Sequence, residues 1–156
     1  MRASTVPVII GLCAISAIAQ AVETATEKTS PQSVEAVWEK IGDFCGIAKW
    51  HPEIAKCALS PDKHDRTLTL RSGGVIVDHL VKWNDETHSY TYTTIRGPWA
   101  VVNYASTIEV QRAKSGSGSV IHWNGHYALK PDANDADVKK AIVGFYDSGL
   151  AALAGS

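Results

Sequence analysis

Asp78 is the residue whose chemistry can be argued most directly from the sequence. It lies in a run that alternates in polarity, and it shares its parity with Ile76 and Leu80. On a β-strand these three side chains point to one face, so the carboxylate is expected among apolar neighbours. A carboxylate in such surroundings is costly to bury without a partner. We therefore expect Asp78 to bind a polar ligand group, to pair with a cation or to have a raised pKa, unless its side chain reaches solvent.

Three histidines are further candidates for chemistry. His51, between an indole and a proline, could transfer a proton or contact a ligand, although a surface or capping role is more common. His122 and His126 are four residues apart, which on a strand means roughly 13 Å, too far for one metal ion whose ligands stand about 2 Å away. No other set of His, Cys or carboxylate residues has metal-ligand spacing. The sequence therefore predicts neither a metal nor a cofactor.

Residues 1–21 have the layout of a secretory signal peptide. A basic residue precedes an apolar run from Val6 to Ala19, and the run ends in the small residues that a signal peptidase prefers. The run is shorter than the roughly 20 apolar residues that cross a bilayer, so no stable membrane anchor is expected. We expect cleavage after Ala19 or Ala21 and a periplasmic or secreted protein made of residues 22–156.

Export changes the interpretation of the cysteines. Cys13 is lost with the signal peptide, and Cys45 and Cys57 remain as a pair in an oxidising compartment. Such pairs tend to be bridged, and closing this loop is worth roughly 3 kcal/mol in the chain-entropy model. We predict a disulfide between them. Two buried thiols, or less commonly a metal-binding or catalytic role, are the alternatives.

The overall composition excludes one class of partner. The chain has 156 residues, of which 15 are Lys or Arg and 16 are Asp or Glu, giving a formal net charge of −1. A nucleic-acid-binding domain usually carries an excess of basic residues, so nucleic acid is not expected as a partner. The length suits a single domain with a substantial core.

Hydrophobic periodicity and turn residues predict the elements that must position these side chains. The expected elements are, in order, a short strand over Val22–Lys28, a helix from Ser30-Pro31 to Gly42, a helical piece from Phe44 to Trp50, about six strands between Ile54 and about Lys130, and a final helix. Asp132, Asn134, Asp135 and Asp137 lie at the start of that helix. This order predicts an α+β domain in which a curved antiparallel sheet wraps a long C-terminal helix.

Several short segments, taken in order, carry a family resemblance. They are Ile41–Pro52, Asp78-His79-Leu80, Tyr90-Thr91-Tyr92, Gly97-Pro98, Asn103-Tyr104, Val120–Trp123 and Tyr146–Leu150. Together they resemble the polyketide cyclase/dehydrase and lipid-transport superfamily, the START-like or SRPBCC group, over nearly all of residues 22–156. The resemblance implies a helix-grip fold, in which a seven-stranded antiparallel sheet curls around the C-terminal helix and leaves a deep apolar cavity.

Within that fold, strand parity places one set of side chains on the cavity face. They are Asp78, Tyr92, Tyr104, Ser106 and Trp123 from the strands, with Phe145 and Gly149 from the final helix. Trp50 and His51 are expected near the cavity entrance. Lys56 falls where the plant abscisic-acid receptors of the superfamily carry a lysine, so a Lys56–Asp78 ion pair could anchor a polar ligand head. Aromatic walls with a few polar groups suit a small-molecule pocket, and the alternative is an aromatic side-chain core.

Three functions follow as hypotheses. The first is an exported protein that holds a small hydrophobic or amphipathic molecule between the sheet and the C-terminal helix, without a cofactor. The second, implied by a resemblance to the MxaD-like periplasmic proteins of methanol oxidation, is an accessory interaction protein of a periplasmic redox system. Its docking or dimer surface would be the outward strip of Val75, Val77, His79 and Val81. The third is a cyclase or dehydratase in which Asp78 or His51 moves a proton. We expect the first, because export separates the protein from carrier-bound cytoplasmic substrates.

Overall fold

The computed structural model describes residues 21–155. Apart from Ala21, the predicted signal peptide lies outside the described residues, as does Cys13. Within residues 21–155, no helix is both long and apolar enough to span a bilayer.

Seven antiparallel strands form one sheet. The strands are β1 (Ala21–Ser30), β2 (Ile54–Leu59), β3 (Asp65–Leu70), β4 (Val75–Asn84), β5 (Ser89–Arg96), β6 (Val101–Arg112) and β7 (Ser119–Leu129). Their spatial order is β1-β7-β6-β5-β4-β3-β2, so β2 to β7 form a meander and β1 closes the opposite edge against β7. The seven-stranded antiparallel sheet that the family resemblance implies is confirmed.

The sheet has one apolar face because its residue types alternate. In β6, for example, Tyr104, Ser106, Ile108 and Val110 are buried, and the residues between them are half-buried or exposed. This face is turned toward the C-terminal helix α3, which spans Asp135–Gly155. The buried residues of α3 recur at helical spacing: Val138, Ile142, Phe145, Tyr146, Gly149, Leu150 and Leu153. The core therefore lies between the sheet and α3, as the α+β interpretation predicts.

The first helix begins later than predicted. Helix α1 spans Val34–Ile41, and its N-cap is Ser33, whose hydroxyl accepts a backbone N–H of the first turn at 3.2 Å. The predicted start at Ser30-Pro31 is wrong because Ser30 still belongs to β1, where it pairs with Ser119 of β7. The predicted end at Gly42 is confirmed: this residue has a φ of 71°, a conformation that glycine adopts without steric cost.

A short helix and a disulfide bring the chain from α1 to the edge of the sheet. Helix α2 spans Ile47–Trp50, within the predicted helical piece, and β2 follows it. Cys45 and Cys57 form a disulfide with a Cα–Cα distance of 5.5 Å. The bond joins the α1–α2 connection to β2, the edge strand farthest from β1.

Candidate functional site

The carboxylate of Asp78 is buried in an ion pair with Arg66. The two residues lie directly opposite each other in the β3–β4 ladder, and each is 1% exposed. The Arg66 Nε–H donates to Asp78 Oδ2 at 2.9 Å, and the Thr94 hydroxyl donates to Asp78 Oδ1 at 2.7 Å. Both oxygens of the carboxylate therefore have a donor inside the protein.

Lys56 does not take part in this pair. It is exposed and lies opposite Thr69, whereas its neighbour Cys57 lies opposite the buried Leu68. Because successive residues of a strand point to opposite faces, only one of Lys56 and Cys57 can face the interior, and that residue is the cysteine. The expected Lys56–Asp78 ion pair is therefore wrong.

Arg66 is the site residue that the sequence analysis missed. Its guanidinium donates through Nη1 to the Phe44 carbonyl at 2.8 Å and lies 4.1 Å from the centroid of the Phe44 ring and 4.8 Å from that of Tyr92. These contacts combine a hydrogen bond with cation–π attraction around a guanidinium that is 1% exposed. A signal was present, because Arg66 has the same strand parity as Leu68 and so belongs to the apolar face.

Burial and the ion pair have opposing effects on the two charges. Burial raises the pKa of the Asp78 carboxyl, while the Arg66 guanidinium and the Thr94 hydroxyl hold the pKa down against that effect. Burial is the largest effect on Arg66 and disfavours its charge, but the Asp78 carboxylate, Tyr90 and Tyr92 together outweigh burial and raise the pKa of Arg66. The pair is thus a polar group that the apolar interior keeps away from water.

The space beside the ion pair is small. It has a volume of about 10 Å³ and is lined by Arg66, Leu68, Ile76, Asp78, Tyr92, Thr94, Trp99 and Phe145. A buried water needs roughly 10–15 Å³, so this space holds one water at most. The interior here is much smaller than the deep cavity that the resemblance implies. The reason is that the Trp99 ring meets the Phe145 ring edge-on, with centroids 5.4 Å apart, and fills the room between the β5–β6 loop and α3.

A buried hydroxyl network lies deeper between the sheet and α3. The Tyr146 hydroxyl is 2.6 Å from both the Tyr104 hydroxyl and Ser106 Oγ. Burial raises the pKa of Tyr146 to about 12, so this phenol is neutral at physiological pH. Gly125 makes room for it, because a Cβ there would lie 2.3 Å from the Tyr146 oxygen. The predicted site residues Tyr104 and Ser106 are therefore partners of a helix tyrosine.

Trp123 connects that network to the ion pair. Its ring is stacked on Tyr146 with centroids 4.5 Å apart, and its indole N–H donates to the Tyr92 hydroxyl at 3.1 Å. Tyr92 in turn lies beside Arg66. The residues predicted for the inner face of the strands thus form one continuous buried cluster.

His51 is buried against α3. Its Nδ1 accepts the Glu53 backbone N–H at 3.2 Å, so the proton is on Nε2, which donates to the Phe145 carbonyl at 3.0 Å. Burial lowers the pKa of His51 to about 4, so the ring is neutral near pH 7. Its two nitrogens are both occupied by protein groups.

Gly149 and Trp50 surround this histidine. A Cβ at Gly149 would lie 2.6 Å from His51 Cδ2 and 2.9 Å from Trp123 Cζ3, so the missing side chain lets the strands and helix approach closely. Trp50 is half-buried beside Trp123, with ring centroids 6.1 Å apart, and its indole N–H is buried without a hydrogen-bond partner among the described residues.

The outer-facing candidates are separate from this cluster. His122 Nδ1 is 3.2 Å from a carboxylate oxygen of Glu27, and no group of three or more His, Cys, Asp or Glu side chains within residues 21–155 is placed to hold a metal. On the outward strip of β4, Val75 and Val77 are half-buried, His79 contacts Asp65 at 2.6 Å, and Val81 is 57% exposed.

Comparison with known proteins agrees with this architecture. The sequence profile of the family described as polyketide cyclase / dehydrase and lipid transport matches residues 21–155. The solved structure of the protein XoxI from Bacillus cereus is 31% identical over 85% of this chain and 93% of its own, with a TM-score of 0.81. A protein from Bacillus thuringiensis is 30% identical over 86% of this chain and 97% of its own, with a TM-score of 0.81.

A more distant structure shares the fold alone. A protein from Nitrosospira multiformis is 20% identical over 86% of this chain and 94% of its own, with a TM-score of 0.72. A search of curated proteins gives no match. The profile covers the whole described domain, and two solved structures reach 30% identity over most of both chains. The chain therefore belongs to the polyketide cyclase / dehydrase and lipid transport family, whose fold is generally a ligand-binding one.

Proposed function

We propose that the protein is exported and binds a small hydrophobic or amphipathic molecule between the sheet and α3. The observation that carries the proposal is the buried Asp78–Arg66 pair inside a cluster of aromatic rings. Ligand sites combine apolar walls with a few placed polar groups, and this interior has both. Tyr92, Tyr104, Trp123 and Phe145 would supply the walls, and the ion pair and Thr94 would contact the polar end of the molecule.

Binding requires that the interior opens, and Trp99 is the group best placed to open it. Trp99 lies in the loop between β5 and β6, is half-buried, and borders the space beside Asp78. Loops change conformation at lower cost than the elements that they connect. Rotation of Trp99 away from Phe145 would join the 10 Å³ space to solvent and enlarge it by the volume of an indole.

The alternatives have weaker support. The proton-transfer roles considered for Asp78 and His51 compete with the contacts that hold these groups, an ion pair in one case and two backbone partners in the other. An accessory docking role is favoured by one observation, the exposure of Val81 on the outer face of β4. For this second candidate, Val81→Lys should abolish capture of a specific partner in a pull-down from a periplasmic extract.

Native mass spectrometry of the freshly purified protein tests the binding proposal. We expect a bound mass that solvent extraction removes, and saturable rebinding of the extract followed by tryptophan fluorescence. Trp99→Ala should speed association of the extracted molecule because it removes the group that closes the interior. Trp83→Phe is the matched control, since Trp83 lies at the far end of β4 and hydrogen-bonds to Asp85. An empty protein that no amphipathic molecule stabilises, in either the wild type or Trp99→Ala, would contradict the proposal.

A further inference from the structure

A groove crosses the outer face of the sheet where β5, β6 and β7 meet. It has a volume of about 610 Å³, within the range of small-molecule sites, and its lining includes Thr93, Ala105 and His126. These three residues alternate with inward-facing neighbours, so the groove lies on the side of the sheet that faces away from α3. It adjoins the space beside Asp78, with which it shares Thr94.

The groove has an apolar floor that is open to solvent. Among residues 21–155, three large hydrophobic side chains are exposed, and two of them, Ile95 at 63% and Val102 at 43%, line this groove. A register shift in the β6–β7 ladder between Val102 and Ala105 forms a bulge here, with Asn103 at a φ of 53°. Bulges redirect side chains and are frequent beside functional sites. Val101 completes the apolar surface.

Positive charge lies at one end of the groove. A smaller recess of about 110 Å³ adjoins it and shares Thr94, Ile95, Val101 and Lys130 with the groove lining. The recess also includes Arg96, so two cations face it, and among residues 21–155 no Asp or Glu lines either the groove or the recess. The Asp78 carboxylate behind Thr94 is already paired with Arg66, and Glu23 lies opposite His126 on the β1 side.

The recess and the interior space beside Asp78 are separated by two residues that line both of them. Trp99 lines both the recess and the space beside Asp78, and Thr94 lines these two and the groove as well. The loop is tightly packed at this point, since a Cβ at Gly97 would lie 3.4 Å from both Thr94 Cγ2 and Trp99 Cε3. The groove therefore leads from the outer face to the residue that closes the interior.

We propose that this groove binds a single-chain anionic amphiphile, with the apolar chain on Ile95, Val101 and Val102 and the anionic head beside Arg96 and Lys130. The inference rests on the proposed function for its general ligand class, and it adds a location and a head-group charge. Within residues 21–155 neither Arg96 nor Lys130 forms an ion pair, and exposed apolar area beside such cations fits a molecule with an apolar chain and an anionic head.

Titration of the ¹⁵N-labelled protein with decanoate and with 1-decanol tests the proposal. We expect decanoate to shift the amides of Ile95, Val102 and Lys130 saturably and to bind about fivefold more tightly than 1-decanol. Lys130→Gln should weaken decanoate binding about fivefold and leave 1-decanol unchanged. Val102→Thr should weaken both ligands about threefold.

Two controls lie on the same sheet outside the groove. Lys82→Gln and Val81→Thr make the same changes at exposed positions of β4 and should leave both affinities unchanged. Equal affinities for decanoate and 1-decanol would contradict the proposed preference for an anionic head group. Decanoate could instead shift only the amides of Tyr92, Trp99 and Phe145, with no effect of Lys130→Gln or Val102→Thr. That result would contradict the groove site and leave the proposed interior site intact. A protein that carries an extractable interior ligand but shows no saturable decanoate shift would also overturn the groove alone.

Discussion

The imidazole of His51 makes the stability of the protein depend on pH. In the folded protein burial lowers the pKa of His51 to about 4, whereas in the unfolded chain it is about 6.5. Between these values the unfolded chain binds a proton that the folded protein does not, so stability is lost as the pH falls from 6.5 toward 4. Between pH 7.5 and pH 5, we expect this residue to lower the free energy of unfolding by about 2 kcal/mol.

Urea denaturation of the wild type and His51→Gln at both pH values measures this contribution. The variant cannot titrate at this position, so its free energy of unfolding should change less between the two pH values, whatever its stability at pH 7.5. Equal changes in the two proteins would mean that the His51 pKa is not lowered on folding.

The partner of Asp78 illustrates what residue types alone leave open. The sequence predicts a carboxylate on an apolar face and a need for a partner, and both are found in the structure. Lys56 and Arg66 are both cations near the expected site, and strand parity favours Arg66, which shares it with Leu68. Arg66 lies directly opposite Asp78 because of the register in which β3 pairs with β4. That register cannot be predicted from the residues of either strand alone.

At the scale of elements, the close approach of α3 to the sheet requires a glycine at position 149 of the helix. At Gly149 a Cβ would lie 2.6 Å from His51 and 2.9 Å from Trp123, so Gly149→Ala must push the helix from the strands. Overpacking of this kind costs about 1–3 kcal/mol, although alanine favours a helix. We expect Gly149→Ala to lower the free energy of unfolding by that amount in urea denaturation.

Gly144 in the same helix is the matched control. It is exposed, and a Cβ there would meet no atom within 4 Å. Gly144→Ala should therefore raise the free energy of unfolding by about 0.5–1 kcal/mol through helix propensity alone. If both substitutions were stabilising, the contact between α3 and the sheet would be looser than the structure indicates.

At the scale of the whole molecule, the disulfide joins the segment before α2 to the edge strand β2. It lies next to Phe44, whose carbonyl and ring hold Arg66. Cys45→Ala combined with Cys57→Ala should lower the free energy of unfolding by roughly 3 kcal/mol, because the unfolded chain gains the entropy of an open loop.

Dithiothreitol provides the control for this prediction. It should destabilise the wild type to a similar extent and leave the double variant unchanged. A thiol assay of the denatured wild type should find no reactive thiol at Cys45 or Cys57 before reduction. Two free thiols, or equal sensitivity of both proteins to the reductant, would contradict the bridge.

The order of the elements and the inward face of each strand could be predicted because both depend on local periodicity. Tyr92 and Trp123 lie between polar neighbours, Tyr104 and Ser106 share the parity of Ile108, and all four are buried in the structure. The helix start was misplaced because Ser30 and Ser33 are equally good caps in isolation. Pairing of Ser30 with Ser119 across 89 positions of sequence decided between them.

Sequence by itself thus determined the α+β class, the seven strands, the apolar face and the cysteine pair of this protein. Tertiary structure alone decided that Arg66 is the partner of Asp78, that Trp99 and Phe145 close the interior to about 10 Å³, and that Ile95 and Val102 share an outer groove. The physical reason is that periodicity is a property of neighbouring residues, whereas strand register and free volume depend on residues that only folding brings together.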